Sequence, residues 1–435
     1  MTKKIRYSLI AVGFVFFLIA APLIVLYVRG VSYDFKTKNF VKTGILAVQS
    51  SPSDAEVFLD GKLKLKKQGD IRFLLPAEYQ VSLKKDGYFD WTKRLTIQAG
   101  QVTWASPSFG NINLFLKNPP SKNIADGVTD FYGQNGNFIY LVPGTLTVSS
   151  LNNPDSRYIY PLPTNIDAIA AEDDSGKNFA LTDSLTASDS APTLLIFNRD
   201  SGKSIDISPM FAAMPKIQFG SNGGFYALSQ GSLYSIDLQN KTKTALFSGV
   251  SDFYFQGGSL YFTQKKGQTE TLLASQDPFS DSQVLLAGLP QFAEANLFVT
   301  FEKEVLLLGD GRLYLVNSGA RNIADNVSAF SFNPADSVLS VIHSGELDYY
   351  DPAAANLDFV TRSSEPLANP RILTGVGNAF YLQGNKLMAI ELDARDSQNQ
   401  YQLYQGADIK KFFVDDAGKN VLVLDGGALK SLVIR

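Results

Sequence analysis

The chain has 435 residues, 39 Lys+Arg against 42 Asp+Glu, one His, no Cys and 45% hydrophobic residues. Such a chain can build two or three domains with real cores and is too apolar to be disordered or low in complexity. The lack of cysteine excludes disulfides, iron–sulfur clusters, thiol catalysis and Cys-based zinc sites, and the lone His343 excludes a multi-histidine centre.

The near-neutral total hides an asymmetry. Residues 1–117 carry 17 Lys+Arg and 8 Asp+Glu, a balance of +9, while residues 118–435 carry 22 and 34, a balance of −12. The larger, acidic part lacks the clustered positive charge that a phosphate backbone requires, so nucleic acid is not an expected partner.

The first element is a run of twenty uncharged residues from Leu9 to Val28. As a helix it spans about 30 Å, the thickness of a hydrocarbon core. Lys3, Lys4 and Arg6 precede it, Arg29 follows it, and Tyr7 and Tyr27 fall at interfacial depth. The apolar run exceeds the 7–15 residues of a signal peptide, and no small-x-small cleavage site follows it, so the reading is an uncleaved anchor in the lipid bilayer. Residues 1–8 form a cytoplasmic tail, 9–28 the transmembrane helix and 29–43 a polar, basic linker. The C-terminal bulk is extracytoplasmic, an orientation that counting charges alone does not decide, because Lys36, Lys38 and Lys42 lie on the far side.

From Gly44 the pattern alternates with period two: ILAVQS, a Ser-Pro turn, AEVFLDG, then EYQVSLKKDGYF and KRLTIQAGQVTW. These are strands separated by turn residues, with Asp60-Gly61 as a hairpin signal. Ser51-Pro52-Ser53-Asp54-Ala55, Val57, Leu59-Asp60-Gly61, Leu75-Pro76, Tyr79-Gln80-Val81, Lys85-Asp86-Gly87-Tyr88 and Trp91 resemble the PEGA domain, a small bacterial extracytoplasmic β-sandwich. The pattern departs from that family at Asp54 and Glu78, where glycine is usual, and KLKLKKQ replaces its Gly-x-Thr-Pro stretch. Residues 44–117 are assigned to this module. Tyr88, Trp91 and Trp104 read as core or interface residues, with a carbohydrate-stacking platform as the functional alternative. Lys62, Lys64, Lys66 and Lys67 read as a solvated edge that discourages strand addition, or as a contact for anionic headgroups or acidic wall polymer.

Residues 118–435 repeat. KNIADGVTDFYGQNGNFIYL returns as RNIADNVSAFSFNPADSVLSV, VTDFYGQNGNFIY as VSDFYFQGGSLYF, and AEDDSGKNFAL as VDDAGKNVLVL. Units begin near Val128, Ile166, Pro215, Val250, Phe292, Val327, Asn369 and Ile409, at steps of 38, 49, 35, 42, 35, 42 and 40 residues. Steps near forty are the length of a four-stranded propeller blade. The fold class is therefore all-β: an anchor helix, a small PEGA-like β-sandwich and a β-propeller, with eight blades favoured over seven. The last unit has only three strands, so residues 121–127 are expected to complete it and close the ring. Phe131, Phe253, Phe330 and Phe412 occupy equivalent first-strand positions and read as blade-to-blade packing. The Asp-x-Gly-Lys turns resemble those of TolB-like and YncE-like propellers, a likeness of architecture that implies no chemistry.

No GxSxG, HExxH, Walker or dinucleotide-binding motif occurs in a fitting context. His343 reads as a blade residue. Asp173-Asp174 and Asp415-Asp416 read as turn residues bonding local amides. Asp277, Asp281, Asp393 and Asp396 are the acids to weigh for calcium, but they lack the spacing of a calcium loop. No catalytic residue, metal or cofactor is expected. The reading is a membrane-anchored, non-enzymatic binding or scaffold protein of the bacterial cell envelope, whose partner is an envelope protein or polysaccharide. The alternative is a glycan hydrolase or lyase with paired carboxylates at the propeller mouth.

Overall fold

A computed structural model describes residues 3–435 other than 107–109, 135, 152, 174, 184–191, 221–222, 277–278, 280, 301, 334–337 and 353, with side chains described from residue 10 onward. The chain opens with helix α1 (Lys3–Val28), which contains Pro22. Its segment Ile10–Val28 has a mean hydropathy of 2.7 and is not buried against the rest of the protein, and it is long and apolar enough to cross a membrane. The segment read as a polar linker is instead structured. Val31–Asp34 and Asn39–Lys42 pair as an antiparallel hairpin in the register Tyr33↔Phe40. Asp34 nucleates its turn, taking hydrogen bonds from the Lys36 amide at 2.9 Å and the Thr37 hydroxyl at 2.8 Å.

The next module is built from two main sheets. One has the order Val102–Trp104, Gly44–Val48, Gly69–Leu74, and the other Lys62–Leu65, Glu56–Leu59, Ala77–Lys84, Trp91–Ile97. Alternation supplies the core: Leu46, Val48, Val57, Leu59, Val81, Leu83, Leu95 and Ile97 all point inward. At the other end of this module the stacked rings of Tyr27 and Phe73, 4.6 Å apart, join it to α1.

Among the described residues, eight four-stranded antiparallel sheets lie between residues 121 and 433, numbered here 1–8 in chain order of their first strands. Their first strands are Asp130–Gln134, Ala168–Glu172, Lys216–Phe219, Val250–Gln256, Ala295–Val299, Val327–Asn333, Leu367–Leu373 and Ile409–Val414. In each sheet the strands succeed one another as neighbours, the meander of a propeller blade. Sheet 8 has only three strands from the C-terminal end. Its fourth is Ser121–Ala125, paired antiparallel with Ala428–Val433 in the register Lys122↔Ser431. Each pair of consecutive sheets shares an apolar cluster. The cluster joining sheets 8 and 1, with Ile124, Phe131, Phe138, Phe413 and Leu422, brings the last sheet against the first.

The repeated Val-x-Asp-Phe segment supplies a cross-link as well as a core residue. Asp130 on sheet 1 takes the Lys411 ammonium of sheet 8 at 2.9 Å and the Ile169 amide of sheet 2 at 3.0 Å. Its echo Asp252 on sheet 4 takes the Lys216 ammonium of sheet 3 and the Leu297 amide of sheet 5. Each aspartate thus ties three successive first strands, with a charge-assisted bond on both sides. Phe131, Phe253 and Phe412 are buried between sheets. Phe330 departs from that pattern: it is 39% exposed, its ring lies edge-on to Phe298 at 5.4 Å, and Phe332 takes the inward place.

Candidate functional site

The small module is docked on sheets 7 and 8 along two seams, the first of which is made by the strand Trp91–Ile97. Period-two alternation turns Trp91, Lys93, Leu95 and Ile97 to one face, and all four are buried. Lys93 is fully buried. Its ammonium ion-pairs with Glu391, lies 3.5 Å from the Asp393 carboxylate and donates to the Asp393 carbonyl at 2.6 Å. Beside it the Trp91 indole N–H donates to Glu391 Oε2 at 2.7 Å. The arrangement continues outward. Asp393 takes the Arg395 guanidinium, which in turn donates to the carbonyls of Trp104 and Ala105 at 2.9 and 2.7 Å. Asp396 accepts the Arg94 amide at 2.8 Å, and Asn399 donates to the Thr92 carbonyl at 3.2 Å.

A second seam lies alongside. Asn113 donates to the Val376 carbonyl at 2.7 Å and holds Arg435, the Leu116 amide donates to the Ile434 carbonyl at 3.0 Å, and Phe115 is fully buried among Phe380, Tyr401 and Phe412. Burial pushes the Asp393 carboxyl up, but its bonds to Arg395 and the nearby Lys93 charge overcome that and leave it below the usual carboxylate range.

Between the two seams is a cleft of about 720 Å³. Its walls carry three aromatic rings, Trp91, Tyr349 and Tyr401, and the amides Asn111, Asn113 and Asn378. Glu391 and Asp393 line it but are held by Lys93 and Arg395. Tyr401 is 5% exposed and its hydroxyl has no hydrogen-bond partner among the described residues. Burial, then the negative charges of Glu391 and Asp90, push that hydroxyl far above the ordinary tyrosine value, so it stays a neutral donor. An adjoining groove of about 650 Å³ runs past Arg94, Gln101, Trp104 and Arg395.

These positions sort the residues singled out from the sequence. Trp91 cannot serve as a stacking platform, because it is 2% exposed and its indole is bonded to Glu391. Tyr88 is half-buried against the core of the small module beneath the Lys85 ammonium. Trp104 is half-buried and lines the outer groove. Lys62, Lys64, Lys66 and Lys67 are exposed, the first two on the edge strand Lys62–Leu65 and the others in the turn after it. The structure therefore brings Trp91 and Trp104 to the junction and leaves the lysines elsewhere.

Asp393 and Asp396, weighed for calcium, are docking acids. Asp281 is exposed, and Asp277 lies outside the described residues, as does Asp174. Asp173 and Asp415 each cap a turn through the amides of Lys177 and Lys419. His343 lies on the turn side of sheet 6, where its Nε2 is 2.8 Å from Asp348 Oδ2. Glu346 completes a trio with ligand atoms within 4.8 Å of one another, but it is paired with Arg362 on the neighbouring strand.

The comparisons with known proteins agree with this division. Residues 43–113 match the PEGA domain. The match covers the docked module and leaves the eight sheets outside it. Among curated proteins none matches the chain. Among solved structures, a eukaryotic initiation factor is similar at 12% identity and a TM-score of 0.50, over 72% of this chain and 86% of that one. The Dos1 propeller is similar at 8% identity and a TM-score of 0.50, over 73% of this chain and 95% of that one. At such identities the likeness is one of fold, and the fold is a β-propeller.

Proposed function

We propose that the chain is a membrane-anchored, non-enzymatic binding protein of the bacterial cell envelope, with α1 in the membrane and the PEGA module and propeller outside the cytoplasm. The propeller is the platform and the PEGA module is a rigid spacer fused to its rim. The ligand seat is the cleft between them. The observation that carries this reading is the chemistry of that cleft: the half-buried Tyr349 ring, three side-chain amides and a neutral buried tyrosine hydroxyl, with its acids already paired. Such a lining suits an uncharged, hydroxyl-rich chain, and we identify the ligand class as envelope polysaccharide.

The alternative of glycan cleavage by paired carboxylates requires one acid that holds its proton near neutral pH. In the cleft, Asp393 is held in the opposite direction by Arg395 and Lys93, and Asp252, which burial does push up, is buried between sheets on the Lys216 ammonium and the Leu297 amide and does not line the cleft.

Titration of soluble cell-wall glycan fragments into the full chain in detergent, followed by calorimetry, tests the proposal. Tyr401→Phe and Asn111→Ala should each weaken binding about tenfold, the cost of one or two lost hydrogen bonds. Tyr401→Phe should leave the protein as stable as the parent or slightly more so, because it deletes a buried hydroxyl that lacks a partner. Equal affinity in parent and variants, or no glycan binding by the parent, refutes the reading.

A further inference from the structure

Only Arg29 and Gly30 separate the hairpin Val31–Lys42 from α1, and the hairpin presents an exposed aromatic face. Tyr33 and Phe40 are cross-strand partners, and their rings meet edge-on at 5.3 Å. Phe35, at the start of the turn, lies edge-on to Tyr33 at 5.1 Å. The three rings are 38%, 62% and 85% exposed for Tyr33, Phe40 and Phe35. Lys36 and Lys38 flank the turn, Arg29 and Lys42 stand at the base, and all four are exposed. The geometry is built, not incidental. Asp34 pins the turn, and the Thr43 amide and hydroxyl both donate to the Gly30 carbonyl at 2.7 Å, which closes the base beneath the helix.

An aromatic face rimmed by cations and continuous with a membrane-length helix fits one surface. Aromatic rings are at home at headgroup depth, where one side is apolar and the other wet, and lysines there gain from negative lipid charge. We propose that the hairpin is a second membrane contact. Tyr33, Phe35 and Phe40 enter the headgroup layer, while Lys36 and Lys38 pair with anionic phospholipid. The occupant is the bilayer that holds α1, so the proposal rests on α1 being a membrane span. Its consequence is orientation: a helix alone leaves the outer modules free to swivel, whereas a helix with a lateral aromatic foot, joined through Tyr27 to Phe73, holds them at a fixed attitude.

The absence of cysteine permits a direct test. Single cysteines replace Ile19 in mid-helix, Phe35 on the hairpin and the exposed Gln239 on sheet 3, each labelled with an environment-sensitive fluorophore. The full chain is then placed in nanodiscs of phosphatidylcholine alone or with phosphatidylglycerol. The label at Ile19 should be shielded in both discs and the label at Gln239 wet in both. The label at Phe35 should be blue-shifted and quenched by brominated lipid, more so with phosphatidylglycerol. Changing Lys36→Glu and Lys38→Glu should lower the inserted population by about fivefold per lysine in the anionic discs. A wet label at Phe35 beside a shielded one at Ile19 overturns this proposal and leaves the anchor standing. A wet label at Ile19 overturns the anchor itself. Shielding at Phe35 that does not respond to phosphatidylglycerol or to the glutamates refutes the ionic half of the contact.

Discussion

Replacing Lys93 with methionine is the sharpest perturbation the structure offers. Methionine matches the stem of the lysine in length and apolar character, so packing within the strand Trp91–Ile97 is retained while the charge is lost. Two carboxylates then sit at a buried seam without their central cation. Removing one partner of a buried ion pair costs about 3–5 kcal/mol. The lower end applies here, because Asp393 keeps the Arg395 guanidinium and Glu391 keeps the Trp91 indole and the Asn399 amide. At about 3 kcal/mol, the melting temperature of the full chain should fall by roughly 3–4 °C. Amide exchange should rise first in Trp91–Ile97 and in the loop after Glu391, since those are the surfaces that part. A double-mutant cycle with Glu391→Met isolates the pair, and its coupling should exceed about 1.5 kcal/mol, as for contacting residues in one network. A coupling near zero, or a Lys93→Met protein that melts with the parent, would show that the module is held without this pair.

Three further outcomes follow from the same geometry. Asp425 bonds the Asp408 amide, Lys430 and Tyr404; against the upward push of burial, these hold its carboxyl at about 2, below its ordinary 3.8. A folded value below the unfolded one stabilises above pH 4 and loses that contribution as pH falls from about 4 to 2, so Asp425→Asn should cost roughly 1–2 kcal/mol at neutral pH and flatten the acid limb of a pH–stability curve. A Cβ on Gly133 would lie 2.5 Å from the Phe413 ring, whose face is also covered by Arg371 at 4.6 Å, so Gly133→Ala should destabilise the seam between sheets 1 and 8 by about 1–3 kcal/mol in urea unfolding. Ile124→Asp puts a carboxylate into the cluster that joins those sheets, and a loss of less than about 2 kcal/mol would mean that the strand Ser121–Ala125 is dispensable to the array.

The fold was legible because repetition amplifies weak local signals. Unit starts read near Val128, Ile166 and Val250 lie within two residues of strands that begin at Asp130, Ala168 and Val250. The repeated Asp-Phe dipeptide marked equivalent places but not their use. That Asp130 and Asp252 clamp neighbouring first strands depends on Lys411 and Lys216, which lie far off in sequence or in another unit. The hairpin after α1 was missed because Lys36, Thr37, Lys38 and Asn39 read as polar coil, and its two short strands hold only Tyr33, Phe40 and a few apolar neighbours. The docking site was harder still, since Lys93 and its acids are about 300 residues apart. One signal was present. In Trp91-Thr92-Lys93-Arg94-Leu95-Thr96-Ile97 the alternation sets a lysine at an inward position, and a lysine there needs buried acids. Asp393 and Asp396 were in view only as acids to weigh for calcium, and only the fold turns them toward the module.

The pairing of charges at the first strands favours the junction cleft over them as a place to bind. At the first strands, Asp130 and Asp252 each answer a lysine and a backbone amide, so these groups serve cohesion between sheets and offer a ligand little. At the junction the charges are also paired, but the neutral groups are not all so. The Tyr401 hydroxyl lacks a partner, and a desolvated donor of this kind costs about 1–3 kcal/mol until something accepts from it. Buried oxygens without a partner also occur inside the sheets, at Thr263, Glu270 and Asp348, but the Tyr401 hydroxyl belongs to a residue that lines the cleft. The docking network fixes both walls of the cleft through Lys93, Arg395 and Asn113, so a ligand would meet preset geometry and little ordering would be charged against its affinity. Loosening those walls while preserving the lining is therefore the informative experiment: Lys93→Met should weaken glycan binding even though Lys93 itself is sealed away from the cleft.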